Sequence, residues 1–288
     1  MKRLIKQLRD ELADLYPQGE IDALIRIIAL DLLKIGNTTF YLRDEINLDA
    51  RQQEMVNDAI ERLKRAEPIQ YIIGETEFCD LTFKVNPSVL IPRPETGELV
   101  RWIVEENKNK ANNILDIGTG SGCIAISLAK MMPQANVTAW DVSPQAIKTA
   151  KGNNVVNGTE VTFVEQDIFA ANEESAKYDI IVSNPPYIKE IEKENMLSNV
   201  LDWEPQIALF VPDNDPLLFY RQIARKGLEL LNPGGKLYFE INREHGQETC
   251  AMLAEYGYKA IELRKDFADN DRMIRAILES PTTDTPQA

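Results

Sequence analysis

From residue 113 onward, apolar runs of strand length alternate with segments of helical period, and nothing else in the chain constrains its fold as strongly. Ile114-Leu115-Asp116-Ile117 reads as a strand, followed by a helix with Ile124, Ile126, Leu128 and Met131 on one stripe. Residues 137–140 form the next strand and 144–156 a helix, with further strands over 161–165 and 178–183. A helix over 215–231, a turn at Pro233-Gly234-Gly235 and a strand over 236–241 follow. A helix over 247–256 then leads to strands at 258–263 and 273–278. Strands joined through helices form a mainly parallel sheet covered on both faces. The last two strands leave no room for a crossover helix, so the final one enters antiparallel. The expectation is an α/β domain built on a seven-stranded, doubly wound sheet.

The first seventy residues have a different period. Leu4, Leu8, Leu12 and Leu15 mark one helix, and Ile21, Leu24, Ile25, Ile28 and Leu32 a second, which Gly36-Asn37 stops. A third runs over 49–66 on Met55, Val56, Ile60 and Leu63 and ends by Pro68. Residues 1–68 are therefore expected to form a small helical bundle whose apolar stripes need one another or a partner, with nothing catalytic in it. Residues 69–94 read as a connector. Glu75-Thr76-Glu77-Phe78 and Leu81-Thr82-Phe83-Lys84-Val85 alternate around Cys79-Asp80 and predict a hairpin. The prolines of Leu90-Ile91-Pro92-Arg93-Pro94-Glu95-Thr96 exclude a regular element there, and this stretch is placed as the wall of a site. Residues 95–279 make up the large domain. Residues 280–288, polar and Pro-containing, are expected to be a disordered tail.

Charge and rare residues exclude several functions. A formal net charge of −14 over 288 residues argues against broad affinity for a nucleic-acid backbone, so no direct nucleic-acid contact is expected. Cys79, Cys123 and Cys250 are odd in number and far apart, which fits reduced thiols and not a disulfide framework. No apolar run has transmembrane length and the N-terminus lacks a signal-peptide core, so a cytoplasmic protein without membrane attachment is expected. No feature demands a dimer, and a monomer is the expectation. His245 is the single histidine, and no cysteine cluster accompanies it. That leaves no metal site and no Ser-His-Asp or Cys-His machinery.

Asp116-Ile117-Gly118-Thr119-Gly120-Ser121-Gly122 sits where the first strand of the large domain hands over to a helix, at the sheet edge where doubly wound folds bind ligands. The spacing is Gly-x-Gly-x-Gly, tighter than the dinucleotide pattern, which tells against a cradled pyrophosphate. Asp141, at the end of the second strand, is placed to accept hydrogen bonds from ribose hydroxyls. Asp167, followed by Ile168, stands at the adenine end, and Asp116 beside a cationic amino-acid group. Each aspartate taken singly also fits a helix or turn cap. Asp141 by itself also fits NAD, but three aspartates at successive strand ends imply a ligand with a ribose, an adenine and positive charge but no phosphate, and S-adenosylmethionine (SAM) fits all of these.

Asn184-Pro185-Pro186-Tyr187 ends the strand over 178–183. The prolines hold Asn184 extended and offer carbonyls without N–H groups, while Tyr187 adds a flat face. Such a pocket suits a planar group carrying an NH2, such as an amide or an exocyclic base amine. An amide nitrogen is a poor nucleophile because its lone pair is delocalised. Hydrogen bonds from its N–H groups to the Asn184 side-chain carbonyl and the Pro185 backbone carbonyl would localise that pair and strengthen as charge develops.

With these motifs the chain resembles the release factor glutamine methyltransferases of the HemK/PrmC type over nearly its whole length. The resemblance rests on the helical N-terminus, Gln70-Tyr71-Ile72-Ile73-Gly74 with Glu77-Phe78, the Leu90 to Thr96 segment, the glycine loop and Ser183-Asn184-Pro185-Pro186-Tyr187-Ile188. Asn-Pro-Pro-Tyr is shared with amino-methylating DNA enzymes and specifies chemistry; the Ile-Pro-Arg-Pro-Glu-Thr segment is far more specific. The resemblance implies a Rossmann-like SAM-dependent methyltransferase domain. It also implies N5-methylation of the glutamine in the Gly-Gly-Gln motif of peptide chain release factors, docked by the N-terminal bundle. Gly118, Gly120, Gly122, Asp141 and Asn184 carry over as ligand contacts. Arg93 and Glu95 join Asn184, Pro185, Pro186 and Tyr187 as candidate substrate contacts. Two positions depart from the pattern: Ile168 replaces a common aromatic, and Gly97 stands where an acidic residue is expected. The rival readings are a DNA adenine-N6 methyltransferase, which would need a basic surface, and a non-catalytic SAM-binding protein.

Overall fold

The computed structural model describes residues 1–171 and 176–279, so the tail expected over 280–288 lies outside the described residues. The chain divides into two compact units, one of Met1–Glu75 with Leu197–Trp203, the other of Thr76–Met196 with Glu204–Ala288.

The first unit holds helices α1 (Lys2–Leu12), α2 (Gln18–Ile27), α3 (Asn37–Leu42), α4 (Ala50–Leu63) and α5 (Ile69–Ile73), with a π-helical turn at Ile28–Leu32. Leu4, Leu8 and Leu12 of α1, Ile21, Leu24 and Ile25 of α2, and Val56, Ile60 and Leu63 of α4 meet in one core. Leu15 is not part of it, because α1 ends at Leu12 and leaves Leu15 exposed. α4 opens on a capping box, in which the Gln52 amide donates to Asp49 (2.7 Å) and the Asp49 amide to Gln52 (3.1 Å). Two short helices depart from the sequence expectation. α3 begins directly after Gly36, and Pro68, expected only to end a helix, stands at the start of α5. A helix's first residues leave their N–H groups unused, so proline's missing donor costs nothing there. Arg62 secures α5 through paired bonds to Glu67 (2.8 and 2.5 Å) and one to the Tyr71 carbonyl (3.3 Å).

β1 (Glu75–Phe78) and β2 (Leu81–Lys84) form the expected hairpin, with Cys79 and Asp80 both at positive φ (49° and 60°), as a tight two-residue hairpin turn requires. There follow α6 (Pro94–Asn107), β3 (Asn113–Ile117), α7 (Cys123–Met131), β4 (Asn136–Asp141), α8 (Pro144–Asn157), β5 (Val161–Glu165) and β6 (Tyr178–Ser183). Next come β7 (Ile188–Lys189), α9 (Ser198–Leu201), β8 (Phe210–Val211), α10 (Leu218–Leu230), β9 (Leu231–Glu240), α11 (Gly246–Glu255), β10 (Lys259–Lys265) and β11 (Asp271–Ile277). The small β7–β8 pair was not expected.

Seven strands form one sheet in the order β10-β11-β9-β6-β3-β4-β5. β6, β3, β4 and β5 run parallel and β9 joins them parallel to β6, while β11 lies antiparallel between β9 and β10. The fold is thus the Rossmann-like sheet with an antiparallel last strand that the sequence implies. Pro233-Gly234-Gly235, expected as a turn, lies inside β9 as a bulge. Tyr178 faces Leu231, whereas Ile180 already faces Lys236. Main-chain bonds between Gly234 and Leu278 (2.7 Å) and Leu278 and Gly235 (2.9 Å) close it. One apolar layer packs Leu115, Ile181, Leu237 and Phe239 against Tyr220 and Ile223 of α10. The other packs Ile114, Ile180 and Tyr238 against Leu99 and Trp102 of α6 and Ile126 of α7.

The chain progresses outward from β3 to β5 and then returns to place β6 on the other side of β3. Between β3 and β6, beyond their carboxyl ends, lies the crevice where such sheets bind ligands. Among the described residues no helix is long and apolar enough to cross a membrane.

Candidate active site

A cavity of about 310 Å³ opens at this crevice, lined by the glycine loop after β3, Asp141 after β4, Asp167 and Ile168 after β5, and Asn184, Pro185 and Pro186 after β6. Arg93 and Thr96 complete one wall.

The glycine loop is shaped by its own backbone. The Gly118 and Thr119 amides both donate to the Trp140 carbonyl (2.9 Å each), and Gly122 donates to Thr119 (2.8 Å). Gly118 and Gly120 have φ of +74° and +54°, and a methyl added to either would meet no atom within 4 Å. They leave open space for a ligand to approach the backbone. Gly122 serves differently. At φ +82° its added methyl would lie 2.8 Å from Ile126 Cδ1 and 3.2 Å from Ala150 Cβ, so this glycine lets α7 close onto α8. It does not line the cavity, which corrects its expected ligand contact. Thr119 and Ser121 do line it. Behind the loop, Asn153 of α8 accepts from the Lys84 amide (2.7 Å) and donates to the Lys84 carbonyl (3.0 Å) and the Ser121 carbonyl (2.8 Å).

Asp141 is on the wall and also holds the loop, accepting from Gly120 N (2.8 Å) and Ser143 N (2.9 Å). Burial pushes its carboxyl above the ordinary range, and the backbone N–H groups oppose that. The carboxylate keeps acceptor capacity beyond these backbone bonds for a ribose hydroxyl. Asp116, placed by sequence beside a cationic group, is instead fully buried behind the loop, where its Oδ2 accepts from the Thr119 hydroxyl (2.7 Å). Desolvation pushes its carboxyl up to about 7, with Thr119 and the Ala125 amide acting against the shift and the Asp141 charge with it.

At the opposite end Asp167 accepts from Phe169 N (2.9 Å), and Ile168 packs into the wall with its carbonyl held by Gln222 (2.9 Å). Sequence reasoning missed the aromatic rings beside them. Phe169 and Phe219 meet edge to face at 5.4 Å and both line the cavity. The aromatic expected directly after Asp167 is one residue further on.

Ser183 ties the end of β6 to β3 by donating to the Ile117 carbonyl (2.7 Å), and Asn184 follows. Asn184 Nδ2 donates to Thr96 Oγ1 (3.3 Å), and Thr96 in turn donates to Glu240 Oε2 (2.5 Å). Tyr187 is not on the wall of this cavity. It lines a neighbouring pocket of about 430 Å³ with Asn242, Arg243 and Arg272, while its amide donates to Leu209 and its carbonyl accepts from Asn242 (3.3 Å each). The β7–β8 pairing that starts at Ile188 turns the chain away from the cavity. Arg93 is held by Glu204 (2.5 Å), which also accepts from Ile91 N (3.3 Å) and is almost wholly buried. Glu95, half-buried in the first turn of α6, does not line the cavity. Gly97 faces the hairpin, with Cys79 Sγ at 3.5 Å and Phe78 Cε2 at 3.6 Å from an added methyl, so its departure from the family pattern leaves the cavity unchanged.

The residues present fit SAM. Gly118 and Gly120 open the approach, Asp141 offers carboxylate lone pairs, and Ile168 with Phe169 offers an apolar face. Among the described residues Arg93 is the one basic side chain on the wall, and Glu204 neutralises it. Among the described residues no group of three or more His, Cys, Asp or Glu could hold a metal ion.

Comparison with known proteins identifies the family. Residues 98–202 match the "Methyltransferase small domain" family model and residues 3–74 the "PrmC N-terminal domain" model. The release factor glutamine methyltransferase of Bacteroides thetaiotaomicron is 51% identical over 96% of this chain and 99% of its own. The chain belongs to the release factor glutamine methyltransferase family. The family member from Flavobacterium psychrophilum is 46% identical over 94% of this chain and 98% of its own. Among solved structures, a methyltransferase from Pyrococcus furiosus superposes with a TM-score of 0.53 at 17% identity, covering 69% of this chain and 90% of that one, which is a likeness of fold.

Proposed function

We propose that this chain transfers the methyl group of SAM to the side-chain nitrogen N5 of the glutamine in the Gly-Gly-Gln motif of peptide chain release factors. The observation that carries this reading is the Asn184 amide, anchored through Nδ2 to Thr96 at the rim of the glycine-loop cavity. With Nδ2 engaged, Oδ1 is left to accept from the NH2 of a planar substrate. The buried Pro185 supplies a second carbonyl with no competing donor of its own. SAM, when bound, supplies a methyl group on a positively charged sulfur. Gly118 and Gly120 would give it room, Asp141 would receive its ribose hydroxyls, and Ile168 and Phe169 would pack on its adenine. Asn184 and Pro185 aim the glutamine nitrogen and draw its lone pair out of the amide, an interaction that grows as positive charge develops. The N-terminal unit, in this reading, holds the release factor, and the enzyme acts as a monomer in the cytoplasm without binding nucleic acid.

The test is mass spectrometry of the Gly-Gly-Gln peptide after incubation of a release factor with labelled SAM and enzyme, beside a parallel reaction on plasmid DNA. A single added methyl on that glutamine is the expected result. Label confined to DNA, or placed on another residue, refutes the reading.

A further inference from the structure

We propose that Thr96 and Glu240 form a directional hydrogen-bond chain that decides which end of the Asn184 amide faces the substrate, with ionised Glu240 as the working state. The inference rests on the reading of Asn184 as the acceptor for the glutamine nitrogen. The two ends of an amide have nearly the same shape, so packing alone does not choose between them; a hydrogen-bond partner must. An ionised carboxylate only accepts. Glu240 therefore commits the one hydrogen of the Thr96 hydroxyl, at 2.5 Å, and Oγ1 can then only accept from Asn184, at 3.3 Å. Nδ2 is drawn to Thr96, and Oδ1 is left for the substrate.

Protonation of Glu240 reverses the chain. The carboxyl donates to Oγ1, the Thr96 hydrogen is freed toward Asn184, and the amide turns to bring its oxygen there. The NH2 of Asn184 then meets the NH2 of the substrate, donor against donor. Thr96 and Glu240 are 2% and 1% exposed, so solvent does not relieve the mismatch. Strand pairing fixes the arrangement: Ser183 of β6 lies opposite Phe239 of β9, which sets Asn184 and Glu240 at adjoining strand ends.

Charged and titratable groups surround the Glu240 carboxyl. Arg272 of β11 and Arg93 before α6 favour its ionised form, while Glu95 of α6 disfavours it. The Tyr187 and Tyr220 phenols and the Cys123 thiol also face it. Burial outweighs the arginines and pushes the carboxyl up to about 7, which puts the reversal within a measurable range of pH.

The experiment compares Thr96→Val, Thr96→Ser and Glu240→Gln with the wild type in release-factor methylation from pH 5.5 to 8.5, with SAM affinity measured by calorimetry. We expect Thr96→Val to lose roughly 100-fold in kcat, the scale of a misaimed reacting group, with KM for the release factor and SAM affinity unchanged. Thr96→Ser recovers most of that loss. Wild-type kcat rises with pH through one ionisation near 7, and Glu240→Gln removes this acid limb. Wild-type kcat in Thr96→Val, or an acid limb retained in Glu240→Gln, overturns the proposal. Should Glu240→Gln not fold, the Thr96 pair decides alone. Failure of the functional reading is distinct: the wild type itself would then leave the Gly-Gly-Gln glutamine unmodified.

Discussion

Gly120 and Gly122 are two residues apart in one loop, yet alanine at each should fail in a different way. Both hold left-handed φ, +54° and +82°, so either alanine bears about 1–2 kcal/mol of backbone strain. The Gly120 methyl meets nothing within 4 Å, and strain is its whole cost to the fold. The Gly122 methyl presses on Ile126 at 2.8 Å and Ala150 at 3.2 Å, both fully buried between α7 and α8. Overpacking of that kind adds about 1–3 kcal/mol. Urea unfolding should therefore show Gly122→Ala less stable than wild type by about 2–5 kcal/mol and Gly120→Ala by about 1–2 kcal/mol. The ranking inverts for the ligand. The Gly120 methyl stands in the cavity, and SAM affinity by calorimetry should fall at least about tenfold, or roughly 1.4 kcal/mol. Folded Gly122→Ala should bind SAM nearly as the wild type does. Wild-type affinity in Gly120→Ala, or lost affinity in a Gly122→Ala protein of undiminished stability, would refute the division of the loop into an open cradle and a packing hinge.

Asn184→Ala should keep SAM affinity and lose on the order of 100- to 1000-fold in kcat, as removal of one hydrogen-bonding group aimed at developing charge does; an unchanged rate would remove Asn184 from the mechanism. Arg93→Met leaves the Glu204 carboxylate buried and uncompensated, and since Arg93 is a third exposed the loss should be about 2–4 kcal/mol, below a fully buried pair. Equal urea midpoints would show the pair contributes nothing. Asp116 and Glu240 both reach about 7 in the fold, from ordinary values of 3.8 and 4.5. A raised carboxyl means the folded state holds a proton the unfolded chain has released, so the stability it contributes is complete below the ordinary value and is lost as pH rises toward 7. Unfolding free energy should fall between pH 5 and 7, by at most about 1.4 kcal/mol per pH unit for each group. Asp116→Asn should remove one proton's share of that slope, and an unaltered slope would show that Asp116 is ionised in the fold.

The sheet was legible because strands buried on both faces appear as short apolar runs, and loops at their carboxyl ends stand out by composition. Glycine-rich and Asn-Pro-Pro segments at two such ends located the cavity. What escaped the sequence depends on partners far along the chain. Gly122 differs from Gly120 because Ile126 of α7 and Ala150 of α8 lie against it, and Arg93 is neutralised by Glu204 across more than a hundred residues. Asp116 carried the same strand-end signal as Asp141 but lies beneath the loop and not before it. Tyr187 belonged to the right motif, yet the β7–β8 pairing carries it into the next pocket. α3 and α5 were missed because helices of five or six residues are too short to display a period.

Asn153 has a consequence for affinity although it lies outside the cavity wall. Its amide makes three bonds to backbone, two to the hairpin at Lys84 and one to the glycine loop at Ser121, and the side chain is fully buried. The loop is therefore held in shape when α8 and the hairpin fold, and the entropy of ordering it is lost at that stage and not on ligand binding. Order in the hairpin and occupancy of the loop are thermodynamically linked, each favouring the other by the same free energy. Slowed amide hydrogen exchange at Lys84 on addition of SAM is how that linkage would register, at a residue the ligand does not touch.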